Sequence, residues 1–279
     1  MSPAAIIFPY AKYAGSSASV TKGHEWRTAA NSCAYLLPHL EPSMRVLDVG
    51  CGPGTISCDL AANYLPRGHV TGVDASVDCV EKAAENAQQR GIENISFTTG
   101  DIFNLPFPDN TFDVVHEHQV LQHIYDPAAA IEEMRRVAKP GGLVACRESI
   151  MDGFLWYPLT PDKKEWWDLY VQVVKSHGAN PGTGRMLHVF ARQAGFSRDA
   201  MTSSSSAWCY CDEKERKYWG DHWADRMLTS AFRRDAVSRG FCTNEDMDRY
   251  ARLWREWGAQ DEGSFILVHA EILCRVDKS

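Results

Sequence analysis

From residue 45 onward the chain switches back and forth between two hydrophobic periods. RVLDVGC is a short, almost continuous apolar run ending in glycine, the pattern of a strand buried on both faces. GPGTISCDLAANYL then turns through glycines into a helical pattern. The alternation repeats with strand HVTGVDAS and helix VDCVEKAAENAQQRG, which stops at Gly91. Strand ISFTTGD, loop IFNLPFPDNT and strand FDVVHEH follow. The helix DPAAAIEEMRRVA begins on an Asp126 cap and a Pro127 first position. The turn KPGG leads into a fifth strand, LVACRES. Repeated strand–helix alternation predicts a parallel sheet with helices on both faces, because parallel strands need crossover connections.

The pattern changes after Ser149. Residues 151–192 are aromatic and mostly helical in period, and 212–258 are charged, Trp-bearing helices. Both are read as helical insertions capping the sheet. Segments near 198–211 and 264–276 supply two more strands, for seven in all. Residues 1–43 form a leader with an expected helix from about Gly23 to Leu40, residues 44–150 the α/β core, and 151–279 the cap plus the last strands, all in one domain.

Composition narrows the partner class. The 279 residues carry a net charge of −7, unlike the basic surface that nucleic-acid binding requires. No apolar run is long enough to span a bilayer, and the start lacks the features of a signal peptide. A cytosolic protein with a small-molecule substrate, and no nucleic-acid or membrane partner, is therefore expected. The nine cysteines are scattered and odd in number, so they read as buried thiols rather than a disulfide framework. Only Cys209 and Cys211 are close in sequence, a spacing that packing on a strand explains as well as metal binding does.

The strongest chemical signal is VLDVGCGPGT, where a strand ends at Gly50 and Gly50, Gly52 and Gly54 allow a tight turn. Its amides are expected to face the ligand crevice beyond the strand ends. It is neither G-x-G-x-x-G nor a phosphate-binding loop with lysine. Asp74 ends the next strand, placed to accept the ribose hydroxyls of an adenosine or to cap the following helix. Asp101 and Ile102 end the third strand, a carboxylate and an apolar side chain suited to an adenine amine and ring.

Together VLDVGCGPGT, VTGVDAS, TTGDIFNLPFPDNTFDVVHEHQVLQHI and RRVAKPGGLV resemble, in order and spacing, the class I S-adenosylmethionine-dependent methyltransferases. Among these the chain is most similar to the small-molecule group that includes the ubiquinone- and menaquinone-biosynthesis enzymes and many natural-product enzymes. The resemblance covers residues 44–149 and implies a Rossmann-like core with S-adenosylmethionine as cofactor. It implies that Gly50, Cys51 and Gly52 border the methionyl part, Asp74 with Ala75 the ribose, and Asp101 with Ile102 the adenine. It also implies that the segment from His116 to Gln119 borders the methyl-transfer site.

That segment, VHEHQVLQHIY, gathers His116, Glu117, His118 and His123. On a strand His116 and His118 share a face and Glu117 opposes them, so no metal site is expected. Glu117 and His118 are candidates for catalysis, Glu117 also for the cofactor's amino group, and His118 for a general base. His123 is expected to hold the loop before Asp126. Tyr10, Tyr13, Trp26 and Arg147 are candidates for acceptor binding, with Trp156, Tyr157 and Trp208 as further aromatic candidates. Glu148 is another pocket candidate, or else an internal ion-pair partner of Arg147. The expected reaction is in-line methyl transfer to a small, largely apolar organic acceptor. Two rival readings are a non-catalytic protein on the same fold and an NAD-dependent oxidoreductase; the missing G-x-G-x-x-G opposes the second.

Overall fold

The structure is a computed structural model that describes Gly23 and residues 26–277. Its centre is an eight-stranded, mostly parallel sheet. Five parallel strands are β1 (Arg45–Val49), β2 (His69–Asp74), β3 (Ile95–Thr99), β4 (Phe112–His118) and β5 (Ala138–Ser149), laid side by side as β3-β2-β1-β4-β5. β8 (Ser264–Arg275) runs antiparallel beside β5, and β7 (Met201–Tyr210) lies antiparallel on the far edge of β8. All seven expected strands are present.

The eighth strand, β6 (Leu155–Tyr157), was not expected; it pairs with Ser264–Ile266 on β8 beyond the end of β5. Three residues are too few for an alternating pattern to stand out. β5 also begins earlier than the KPGG turn suggests, because Ala138 already pairs with Phe112. Gly141 absorbs the irregularity at a φ of 76°.

Crossover helices cover both faces. α1 (Ala29–Ser32) and α2 (Thr55–Asn63) lie over Val46, Val114 and Ala145. α3 (Val77–Gln89) packs beside β2 and β3. On the opposite face, α4 (Pro127–Val137) and α6 (Leu187–Gln193) bury Val115, Val144 and Cys146. The Asp126 side chain caps α4, accepting from the Ala129 amide at 3.0 Å as the sequence implies. Of the helix expected over 23–40, the described residues 26–40 instead form the single turn α1 and a 3-10 turn, Leu37–His39. Thr28 and Asn31 form a capping box that starts α1 late. Pro38, lacking an amide hydrogen, opens the second turn.

Helices α5 (Pro161–Ser176), α7 (Glu213–Thr229), α8 (Ala231–Ser238) and α9 (Asn244–Gly258) share a separate aromatic core. Trp166 is fully buried there, with ring centres 4.8 Å from Trp254 and 5.1 Å from Trp223, both edge-on. Edge-to-face contacts of this kind add to the burial of large rings. Among the described residues, no helix is long and apolar enough to cross a membrane.

Candidate functional site

The C-terminal ends of β1, β2 and β4 meet at the glycine turn. Gly50 and Gly52 have φ of 68° and 53°, which only glycine adopts without strain. A Cβ on Gly50 would lie 2.3 Å from Cγ2 of Val120. The turn is thus wedged against the loop that leaves β4. Asp74 locks it from the other side. Its Oδ2 accepts from the Gly52 amide and its Oδ1 from the Ser76 amide, each at 2.9 Å. Burial raises the Asp74 pKa, while these amide bonds favour the charged form. Ala75 is exposed beside it, and Asp101 and Ile102 are half-buried at the end of β3. Asp101 Oδ1 accepts from the Phe103 amide at 3.0 Å. Cys51 turns its thiol inward, where burial pushes its pKa well up, so only its backbone is available to a ligand.

Alternation along β4 sends the histidines and the glutamate to opposite faces. His116 is fully buried in a chain of polar contacts. Its Nδ1 is 2.9 Å from Asp48 Oδ1, and its Nε2 is 3.4 Å from Cys33 Sγ. Ser57 donates to the other Asp48 oxygen at 2.5 Å. Burial opposes the charged ring, but Cys33 and Asp48 outweigh it and carry the His116 pKa well above its ordinary value. These contacts tie α1 and α2 to the sheet.

Glu117, on the other face, donates nothing to solvent. Its Oε2 accepts from the Val120 amide at 3.0 Å, and its carboxyl lies beside that of Glu148. Glu148 Oε1 accepts from the Leu121 amide at 2.6 Å. Burial, then the neighbouring Glu117, lifts Glu148 well above the carboxylate range. Arg147 and Glu148, adjacent on β5, therefore do not pair with each other. Arg147 Nε instead donates to Glu271 Oε1 at 3.2 Å. His123 packs by the loop, its Nε2 3.2 Å from Gln122 Nε2, and burial pushes its pKa down to about 3.

His118 is 4% exposed, and neither ring nitrogen has a hydrogen-bond partner among the described residues. Burial, then the nearby Arg27, holds its pKa well below the ordinary value, so the ring is neutral. Register sets His118, Arg147, Glu271 and Ser204 abreast across four strands. His269 stacks 6.2 Å from His118, and Trp208 lies edge-on 4.4 Å from His269.

Arg27 and His269 had no sequence signal, and Gln119 had only its place at the end of β4. Arg27 Nη2 donates to Gln119 Oε1 at 2.6 Å and has no carboxylate partner among the described residues. Gln119 sits at a φ of 58°, and its Nε2 reaches His269 Nε2 at 2.8 Å. Arg27, Gln119 and His269 come from three separate segments, so only the fold brings them together. Trp26 packs among Tyr210, Tyr218 and Trp219, on the cap side of this group. Trp156 packs on Trp167, and Tyr157 is exposed. Tyr10 and Tyr13 lie outside the described residues. Among the described residues, no three His, Cys, Asp or Glu gather as a metal set.

Residues 40–178 match the family described as "Methyltransferase domain". The chain is 36% identical to an uncharacterised methyltransferase of Schizosaccharomyces pombe, over 95% of this chain and 96% of that protein. It is 37% identical to the demethylmenaquinone methyltransferase of Anoxybacillus flavithermus, over 40% of this chain and 47% of that one. The fold is similar to a phosphoethanolamine N-methyltransferase of Haemonchus contortus solved with S-adenosylhomocysteine. That match has a TM-score of 0.53 at 18% identity, over 86% of this chain and 50% of the other.

Proposed function

The chain belongs to the methyltransferase-domain family, and on that premise we propose that it moves a methyl group from S-adenosylmethionine to a small, largely apolar organic acceptor. The observation that carries this reading is the meeting of the Gly50 turn, Asp74 and Arg27–Gln119 at the ends of β1, β2 and β4. The residues fit the cofactor chemically. Asp74 retains lone pairs for the two ribose hydroxyls after accepting its two amides. Asp101 with Ile102 flanks the adenine. Arg27, with no carboxylate partner among the described residues, takes the methionyl carboxylate as a charge-assisted bond. Gly50, Cys51 and Gly52 offer backbone that approaches closely because no Cβ intervenes.

When bound, S-adenosylmethionine supplies an activated methyl on a sulfonium, displaced in line. The protein's share of the work is then alignment and exclusion of water. Glu117 contributes by holding the Val120 amide, and so the loop that wedges Gly50; it is a positioning residue. His118 and Arg147 border the acceptor side. Calorimetry of the intact chain with S-adenosylhomocysteine tests the reading. Saturable binding is expected, and no detectable heat or competition would overturn it.

A further inference from the structure

Beyond the cofactor turn, one face of β4, β5 and β8 carries buried polar groups that no described residue satisfies. Arg147 Nη1, both nitrogens of His118 and His269 Nδ1 are all buried, with no hydrogen-bond partner among the described residues. A buried unpaired donor or acceptor is destabilising, because it has given up water without replacing it. Four such atoms on neighbouring side chains, with His118 paired to Arg147 across β4 and β5 and its ring beside His269, are therefore a standing cost unless a ligand meets them. Resting on the methyltransferase reading above, we propose that this face binds the acceptor as an oxygen anion, a phenolate or a carboxylate, with Arg147 as counter-ion and His118 and His269 as hydrogen-bond partners.

The geometry of Arg147 favours an anion over a neutral carbonyl. Its Nε bonds Glu271 and Ser206, its Nη2 bonds Ser206 at 3.0 Å, and its guanidinium lies 4.8 Å over the Trp208 ring. Held on three sides, the group is pre-organised, and only Nη1 is left for a ligand. Trp208 meanwhile offers an apolar wall. Ser204 and Ser206 both donate to Glu271, which leaves that carboxylate less able to cancel the Arg147 charge.

The histidines argue in the same direction. Burial holds the His118 pKa down, and repulsion from the nearby Arg27 and Arg147 adds to it. His269 is depressed likewise, by burial and then the two arginines. Rings held this far down bind a proton weakly and cannot strip one from an alcohol. They donate or accept hydrogen bonds as neutral groups. The acceptor must then arrive acidic enough to be ionised already. An oxygen lone pair forms the new O–C bond while the methyl–sulfur bond breaks with its pair left on sulfur, so anion and sulfonium are neutralised together and no base is needed.

The test uses 4-nitrophenol and benzoate as probes of the protein saturated with S-adenosylhomocysteine. Bound 4-nitrophenol is expected to ionise about one unit lower in pH than free, read by the nitrophenolate absorbance. Arg147→Gln should abolish that shift and weaken binding about tenfold or more. Because this change also strands Glu271, the double variant Arg147→Gln/Glu271→Gln, which keeps a neutral amide pair, should behave the same way. Competition by benzoate assigns the site to carboxylates as well as phenolates; its failure to compete assigns it to phenolates. The proposal is overturned if the probe does not bind, binds as the neutral phenol, or binds no more tightly than 4-nitroanisole. It is overturned too if both variants keep the shift. Calorimetry with S-adenosylhomocysteine on the same samples separates these failures from failure of the cofactor reading.

Discussion

Glu117 on β4 and Glu148 on β5 set their buried carboxyls beside each other beneath the loop that leaves β4, each accepting one amide of that loop. Two buried carboxyls this close share a proton, since both cannot ionise together. Both pKa values lie above the ordinary range, mainly through burial. The folded state therefore keeps a proton that the unfolded chain releases. Stability from this pair is complete below the ordinary glutamate range and is lost as pH rises through the folded pKa. In Glu148→Gln the amide oxygen still accepts from Leu121 while its nitrogen donates to Glu117. Urea unfolding across pH is expected to show a flatter profile for Glu148→Gln than for the wild type above pH ~4.5. Glu148→Ala, which strands the Leu121 amide, should lose about 1–3 kcal/mol.

The wedge between Gly50 and Val120 makes a second prediction. Gly50→Ala meets two separate penalties, a φ of 68° and a contact of 2.3 Å with Val120 Cγ2. Each is worth on the order of 1–3 kcal/mol. Adding Val120→Ala removes the clash and leaves the backbone strain. The double variant should therefore recover part of the lost stability, and denaturant midpoints for the two single variants and the pair measure how much. Full recovery would show that the left-handed turn is not strained by a side chain.

The parallel strands and the glycine turn were legible in the sequence because each is a local pattern. RVLDV is a short, mostly apolar run, and Gly50 follows it at once. The opposite facing of His116 and Glu117 follows from alternation alone. His118, Arg147 and Trp208 were singled out from the sequence, but their neighbours Glu271, Ser206 and His269 were not, since those are brought in by register between strands distant in sequence. Nothing near Arg147 announces Glu271, yet the two are directly paired across β5 and β8. Arg27 and Gln119 are likewise joined only by the fold. The helix expected over 23–40 failed for a local reason, because the Thr28–Asn31 capping box and Pro38 divide that segment.

Asp74 holds the glycine turn, and under the proposed function it also serves the ribose hydroxyls. Its oxygens hold the Gly52 and Ser76 amides, and their remaining lone pairs are free for ribose hydroxyls. Removing a charged acceptor for two hydroxyls is worth roughly 3 kcal/mol. Asp74→Ala should accordingly raise the dissociation constant for S-adenosylhomocysteine about a hundredfold. Adenosine should lose affinity by a similar factor, because it carries the same hydroxyls, whereas methionine should not. A loss confined to the methionyl fragment, measured by calorimetry, would place Asp74 on the wrong end of the cofactor.

His118 sets stability against function. Its two ring nitrogens are buried without partners among the described residues, and its pKa lies well below the ordinary value, chiefly through burial. The unfolded chain therefore binds a proton that the folded chain refuses, so stability is full above the ordinary histidine range and falls as pH drops below it. Replacing an unsatisfied polar group by an apolar one of similar size removes the desolvation cost. His118→Leu is expected to be more stable than the wild type by about 1–3 kcal/mol, with the gain growing below pH ~6.5. The same change removes two hydrogen-bonding atoms from the acceptor face, so turnover should fall while S-adenosylhomocysteine affinity stays within about twofold. Thermal unfolding at pH 5 and pH 8 reads the first effect, and calorimetry beside a turnover assay reads the second. A His118→Leu protein that is less stable at both pH values would show that the ring is satisfied where it sits, and that its nitrogens are not waiting for an acceptor.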